Sequence, residues 1–140
     1  MHAQIAYRKG LVSDLTKFTF AKELSLTHAS IEFNIVAMGH EFWIATENNS
    51  IIGLVVLARS GANQFTVMYL AVANPRKRHG IGSSLLRTVL NNYAEAEFSV
   101  IALEGTEDLY SRLGFERCAQ WEMRRPPVGA NSRLRVERNG

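Results

Sequence analysis

At 140 residues, 46% of them hydrophobic, the chain is sized for one domain with ample material for a core. Its longest apolar run, residues 51–58, is far short of the ~20 residues a membrane helix needs, and residues 1–8 carry no long apolar core behind a charge, so a soluble cytoplasmic protein without signal peptide is expected. A lone Cys118 forbids an internal disulfide, His2, His28, His40 and His79 form no helical pair for a metal, and the net charge of +3 falls wholly in the second half: residues 1–70 hold five Lys/Arg against five Asp/Glu, residues 71–140 eleven against eight.

Residues 4–7 can form a short first strand. From 11 to 24 the apolar Leu11, Val12, Leu15, Phe18, Ala21 and Leu24 recur at helical spacing, with Ser13 or Asp14 able to cap the start. Residues 25–40 are less regular, and Ile31, Phe33, Ile35, Val36 and Met38 suggest a second helix or a helix with a loop. Two strands, 42–47 and 51–59, are joined by Asn48-Asn49-Ser50, residues that tolerate positive φ. Both are apolar at consecutive positions, as expected where a sheet is covered on both faces. A turn at 60–63 leads into a strand over 64–72.

The rest is arranged around residues 69–93: the strand end Tyr69-Leu70-Ala71-Val72, a basic glycine-bearing loop over 73–82, and a helix. In that helix Ile81, Leu85, Leu86, Val89, Leu90 and Tyr93 form one apolar stripe, while Ser83, Ser84, Arg87, Asn91 and Asn92 take the other side. Its first amide hydrogens have no partner inside the helix and carry the positive end of the dipole, which attracts an anion. Gly80 and Gly82 let main chain and ligand approach closely, Arg76, Lys77 and Arg78 supply consecutive cations, and Pro75 ends the strand. The plainer account is a basic surface turn capping an ordinary helix. Strand, cations, glycines and helix in that order favour phosphate binding.

Residues 98–103 read as a strand after the helix, which implies parallel pairing through a crossover. Residues 106–113 make a short helix ended by Gly114, a good left-handed cap. From 115 to 123, Phe115, Ala119, Trp121 and Met123 alternate with Glu116, Cys118, Gln120 and Glu122, the pattern of one half-buried strand. Residues 124–132 are a long loop, and residues 133–137 either a last strand or part of a disordered basic end.

Lys77-Arg78-His79-Gly80-Ile81-Gly82 resembles the Gln/Arg-x-x-Gly-x-Gly/Ala motif of the GNAT superfamily of acyl-CoA-dependent N-acyltransferases. Lys77 occupies the Gln/Arg position, and Arg78 stands where many members have glycine. Leu70-Ala71-Val72 stands where that family has its pantetheine-binding strand. A second block, Leu109-Tyr110-Ser111-Arg112-Leu113-Gly114-Phe115, resembles the family's Tyr-x-Lys/Arg-Leu-Gly-Phe segment. Two blocks in the correct order are far more specific than either alone.

The resemblance implies the α/β (α+β) GNAT fold across almost the whole chain. It implies a mixed sheet of about 6–7 strands with an antiparallel N-terminal part, a parallel pair splayed at the cofactor cleft, and about four helices on both faces. It further implies acetyl-CoA as acyl donor, with pantetheine along Leu70, Ala71 and Val72 and pyrophosphate on the loop and helix start, Lys77, Arg78, His79, Gly80, Ile81, Gly82 and Ser83. An acceptor amine attacks the thioester. Tyr110 is the acid for the departing thiolate by the same resemblance; its plainer account is a core tyrosine that packs. An acceptor ammonium with a pKa near ~10.4 must lose a proton before attack, and Glu104, just past the 98–103 strand, is the best-placed carboxylate, with Glu41 and Glu122 weaker alternatives. Trp43, Trp121 and Phe33 could line an acceptor pocket, but aromatics at strand or helix periods are usually core.

The leading expectation is an N-acetyltransferase acting on an amine of a small molecule or a protein, with an acceptor pocket from residues 25–40 and 124–132. No metal, no membrane and no nucleic acid are expected, and a homodimer is left open. A non-catalytic acyl-CoA sensor using the same cleft is one alternative. A basic nucleic-acid binder is another, disfavoured because aromatic residues are not interleaved with the basic clusters.

Overall fold

The computed structural model describes residues 4–17, 33–73, 80–101, 107–118 and 122–127. Its strands are β1 (Ile5–Lys9), β2 (Glu41–Glu47), β3 (Ser50–Gly61), β4 (Gln64–Val72), β5 (Glu97–Ile101), β6 (Glu116–Arg117) and β7 (Glu122–Arg125). Helix α1 (Ile81–Asn92) lies between β4 and β5, and α2 (Glu107–Arg112) between β5 and β6. The strands form one mixed sheet in the order β1-β2-β3-β4-β5-β7-β6.

The first four strands are an antiparallel meander. Asn48 and Asn49 close the β2–β3 hairpin with φ of 52° and 66°; two successive positive φ values match the twist of the flanking strands, and asparagine tolerates them. After α1 the chain re-enters as β5, parallel to β4. The sheet thus has the antiparallel start and single parallel pair expected from the sequence.

Two apolar layers explain the consecutive burial of Ile51 to Leu57 on β3. On one face Val55, Leu57, Phe65, Val67, Phe98, Val100 and Met123 pack under Leu85, Leu86, Val89 and Leu90 of α1. Removing each of those helix side chains from water contributes roughly 1.5–3 kcal/mol. On the other face Phe42, Ile44, Leu54, Val56 and Ala71 are covered by Leu15 and Ile35.

Three expectations change. Residues 115–123 are not one strand: the chain doubles back between β6 and β7, and Cys118 N–H donates to Glu122 O at 3.0 Å across the reversal. Alternation alone cannot show such a fold-back. Arg124 and Arg125, assigned to a loop, instead extend β7 opposite Ser99 and Phe98. The start of the helix expected over 11–24 is a 3-10 turn at Val12–Lys17, where Asp14 N–H donates to Leu11 O three residues back, and residues 18–24 lie outside the described residues. In the 25–40 region, Phe33–Ala37 is a π-helical turn. The proposed tail strand at 133–137 lies outside the described residues. Among those residues there are two α-helices, no helix long and apolar enough to cross a membrane, and no three His, Cys, Asp or Glu side chains grouped as a metal site requires.

Candidate active site

The decisive geometry is a split in the sheet. β4 pairs with β5 from Gln64↔Glu97 to Val67↔Val100 and no further, while it keeps pairing with β3 as far as Gly53↔Val72. At the point of separation Val56 faces Tyr69 and Leu57 faces Val67, so Met68 is an extra residue on β4. Such a bulge bends the strand and switches its alternation. Phe65 and Val67 face α1 before it; Leu70 does so after it, with Tyr69 and Ala71 on the opposite face.

Beyond the bulge, the edge of β4 from Met68 to Val72 has no neighbouring strand among the described residues. Ala73 N–H donates to Ile52 O at 2.8 Å, toward β3. Main-chain direction alternates along a strand, so Ala71 is also tied to β3 while Leu70 and Val72 turn their N–H and C=O to the open edge. The three predicted residues therefore divide: two offer hydrogen bonds, and the third, buried, anchors them.

Helix α1 starts beside that edge. Gly80 precedes it with φ 74° and ψ 11°, a left-handed conformation open to glycine at little cost. Its carbonyl accepts the first helical bond from Ser84 N–H at 3.0 Å. The amides of Ile81, Gly82 and Ser83 consequently have no acceptor inside the helix; among the described residues no side chain caps them, and no acidic residue lies in the first turn. Gly53 lets this end approach the sheet: a Cβ there would stand 3.2 Å from Ala45 Cβ and 3.3 Å from Ile81 Cγ2.

Tyr110 sits on α2, only 6% exposed, in the same apolar cluster that Leu70 borders. Its ring meets Phe115 edge to face at 5.4 Å. Burial raises its pKa, which holds the phenol protonated. Arg125 fixes α2 from below: Nε donates to Leu113 O at 2.9 Å, passing Gly114, whose φ of 95° and missing Cβ leave the room. Desolvation lowers the Arg125 pKa, and its Nη1 is sealed without an acceptor. The packing account of Tyr110 thus holds for its ring.

Lys77, Arg78, His79 and Glu104 lie outside the described residues, as does Trp121. Glu41 is engaged elsewhere, accepting from the Tyr93 hydroxyl at 2.8 Å and from Arg59 at 3.3 Å. Tyr93 ends α1, and twelve helical residues place it about 18 Å from the uncapped amides. Glu122 stands opposite Ile101 on β7 and accepts from Arg124 Nε at 2.9 Å. Trp43 is core. Met68 and Ile101, which frame the split, carried no signal in the sequence, because each sits inside an unbroken strand pattern.

An acetyltransferase (GNAT) domain model matches residues 38–117, more than half of the 140-residue chain. The chain belongs to the GNAT acetyltransferase family. This GNAT chain is 29% identical over 90 residues to N-acetyltransferase 8F1 of Rattus norvegicus, a match covering 56% of the chain and 41% of that protein. It thus spans less than half the length of that relative. In structure it is similar to the GNAT family N-acetyltransferase YhbS of Escherichia coli, solved in complex with CoA, with a TM-score of 0.77 at 17% identity over 92% of this chain and 84% of that one. A GNAT family acetyltransferase of Brucella melitensis, solved with acetyl-CoA, gives a TM-score of 0.70 at 17% identity over 88% of each chain. At such identities the likeness establishes the GNAT fold.

Proposed function

We propose that the chain transfers the acetyl group of acetyl-CoA to the nitrogen of an amine, in a small molecule or a protein, by direct attack on the thioester. One observation carries this reading: the uncapped start of α1 behind Gly80 adjoins the end of β4, where Leu70 and Val72 turn main-chain groups away from the sheet. A diphosphate fits the first feature, since backbone N–H groups at a helix start favour negative charge. An amide-bearing pantetheine fits the second, as a strand-like partner. The solved GNAT relatives with CoA and acetyl-CoA support the same donor.

In this scheme Ile81, Gly82 and Ser83 donate main-chain hydrogen bonds to the diphosphate, with Lys77, Arg78 and His79 assigned to the same anion. The acceptor ammonium first loses a proton, for which Glu104 is the assigned base. Its neutral nitrogen attacks the thioester carbon, the C–N bond forms, and the C–S bond breaks with its electron pair on sulfur. Tyr110 gives the thiolate a proton; its buried environment keeps that proton available. The second proton of the acceptor nitrogen returns through solvent to Tyr110 and the proton taken by Glu104 passes to solvent, so both groups are restored and one proton is released per ammonium converted to amide. The protein's share is position and electrostatics, because the thioester supplies the reactive bond.

The test is release of free CoA thiol from acetyl-CoA across a panel of amines, run beside thermal melts with CoA. Melting at higher temperature with CoA together with amine-dependent thiol release is the expected result. Stabilisation without release for any amine would make the chain a binding module, and absence of both would mean the site is placed wrongly.

A further inference from the structure

On the sheet face turned away from α1, the ladder between β4 and β5 runs through Gln64/Glu97 and Thr66/Ser99. The hydroxyl oxygens of Thr66 and Ser99 are 3.0 Å apart. Two residues further along each strand stand Met68 and Ile101. In an unbroken ladder these two would be the next pair on that face and would cover each other. The bulge at Met68 ends the ladder first, leaving Met68 41% and Ile101 61% exposed. Among the described residues the other exposed large apolar side chains, Leu11, Val12, Val36 and Met38, lie outside the strands. Two apolar side chains at the mouth of a split offer surface that a bound acyl chain can cover.

We infer that Met68 and Ile101 are the two walls of the acyl subsite, and that beside acetyl the chain accepts straight acyl groups of three or four carbons. This rests on the donor reading above. A pantetheine that follows the open edge of β4 from Val72 past Leu70 reaches Met68 next, so the group at its tip arrives between Met68 and Ile101. An acetyl methyl is too small to cover a methionine and an isoleucine together. A three- or four-carbon acyl chain covers more of both. Each added methylene that leaves water contributes ~0.8 kcal/mol, about fourfold in affinity when fully covered.

The experiment is calorimetric titration of the protein, without acceptor, with CoA, acetyl-CoA, propionyl-CoA and butyryl-CoA, repeated on the double variant Met68→Ser, Ile101→Ser. Both side chains are on the surface, so melting curves of the two proteins should coincide. In the unaltered protein Kd should fall about two- to fourfold with each methylene from acetyl to butyryl, and in the double variant the series should be flat. A flat series in the unaltered protein, or an equal slope in the variant, overturns the subsite. If CoA itself binds while the series is flat, the donor site stands and only this inference falls. If CoA does not bind at all, both fall.

Discussion

Replacing Gly80 with alanine separates backbone strain from crowding, because the position offers one without the other. A Cβ added there meets no heavy atom within 4 Å, yet φ is +74°. The penalty is therefore conformational, about 1–2 kcal/mol for a non-glycine residue held left-handed. It must be expressed in one of two measurements. If the free protein keeps the turn, stability drops by that amount and Tm falls by about 3–8 °C for a chain of this size. If the free protein relaxes the turn, ligand binding has to restore it, and CoA affinity falls by about 5–30-fold. Chemical denaturation of the free protein and calorimetric titration with CoA measure the two parts, which should sum to the same total. Gly82→Ala supplies the contrast: its Cβ would stand 3.5 Å from Val72 Cγ2, an ordinary contact on a helical backbone, so the free protein should gain up to ~1 kcal/mol. If Gly80→Ala leaves both stability and CoA affinity untouched, the left-handed turn does not shape the anion site and the reasoning is wrong.

Tyr110→Phe should lower kcat while leaving the Kd for CoA unchanged, and an unaltered rate would remove the acid role. Because burial raises the Tyr110 pKa, the native state holds this proton more tightly than the unfolded chain. Its contribution to stability is full below the ordinary tyrosine pKa of ~10 and is lost as pH rises through the higher folded value; alkaline unfolding should be less steep in the phenylalanine variant. Gly53→Ala should cost about 1–3 kcal/mol by overpacking against Ala45 and Ile81 and should weaken CoA binding as the start of α1 is pushed off the sheet; normal affinity in a destabilised protein would uncouple that packing from the site. Asp14, 2% exposed, accepts two bonds from Arg8 at 2.9 Å and one from Leu11 N–H at 2.7 Å. Asp14→Ala should cost about 1–3 kcal/mol by denaturant titration, with no change in CoA affinity, since this clasp ties β1 to the 3-10 turn.

The order of strand, glycine turn and helix around Gly80 could be read directly from the chain, because each of its causes is local. A stripe at helical spacing from Ile81 to Leu90, missing Cβ atoms, and asparagines that accept positive φ at 48 and 49 act within a few residues of themselves. Family motifs in the same stretch then pointed to the proposed donor. Reading failed where a residue's conformation depends on a distant neighbour. Glu116 to Arg117 looks like the start of one long strand until the chain doubles back and Arg124 and Arg125 pair with β5. Met68 looks like any strand residue until β3 and β4 slip by one position beside it.

By itself the sequence determined the central strands, the buried stripe of α1 and the exposed amides at its start, all products of near-neighbour sterics and hydrophobic period. Only the tertiary structure decided where β4 and β5 part, that Leu70 and Val72 rather than Ala71 face the opening, and that Met68 and Ile101 stand apart at its mouth. Strand register is set by partners many residues away, and one inserted residue switches which groups face inward.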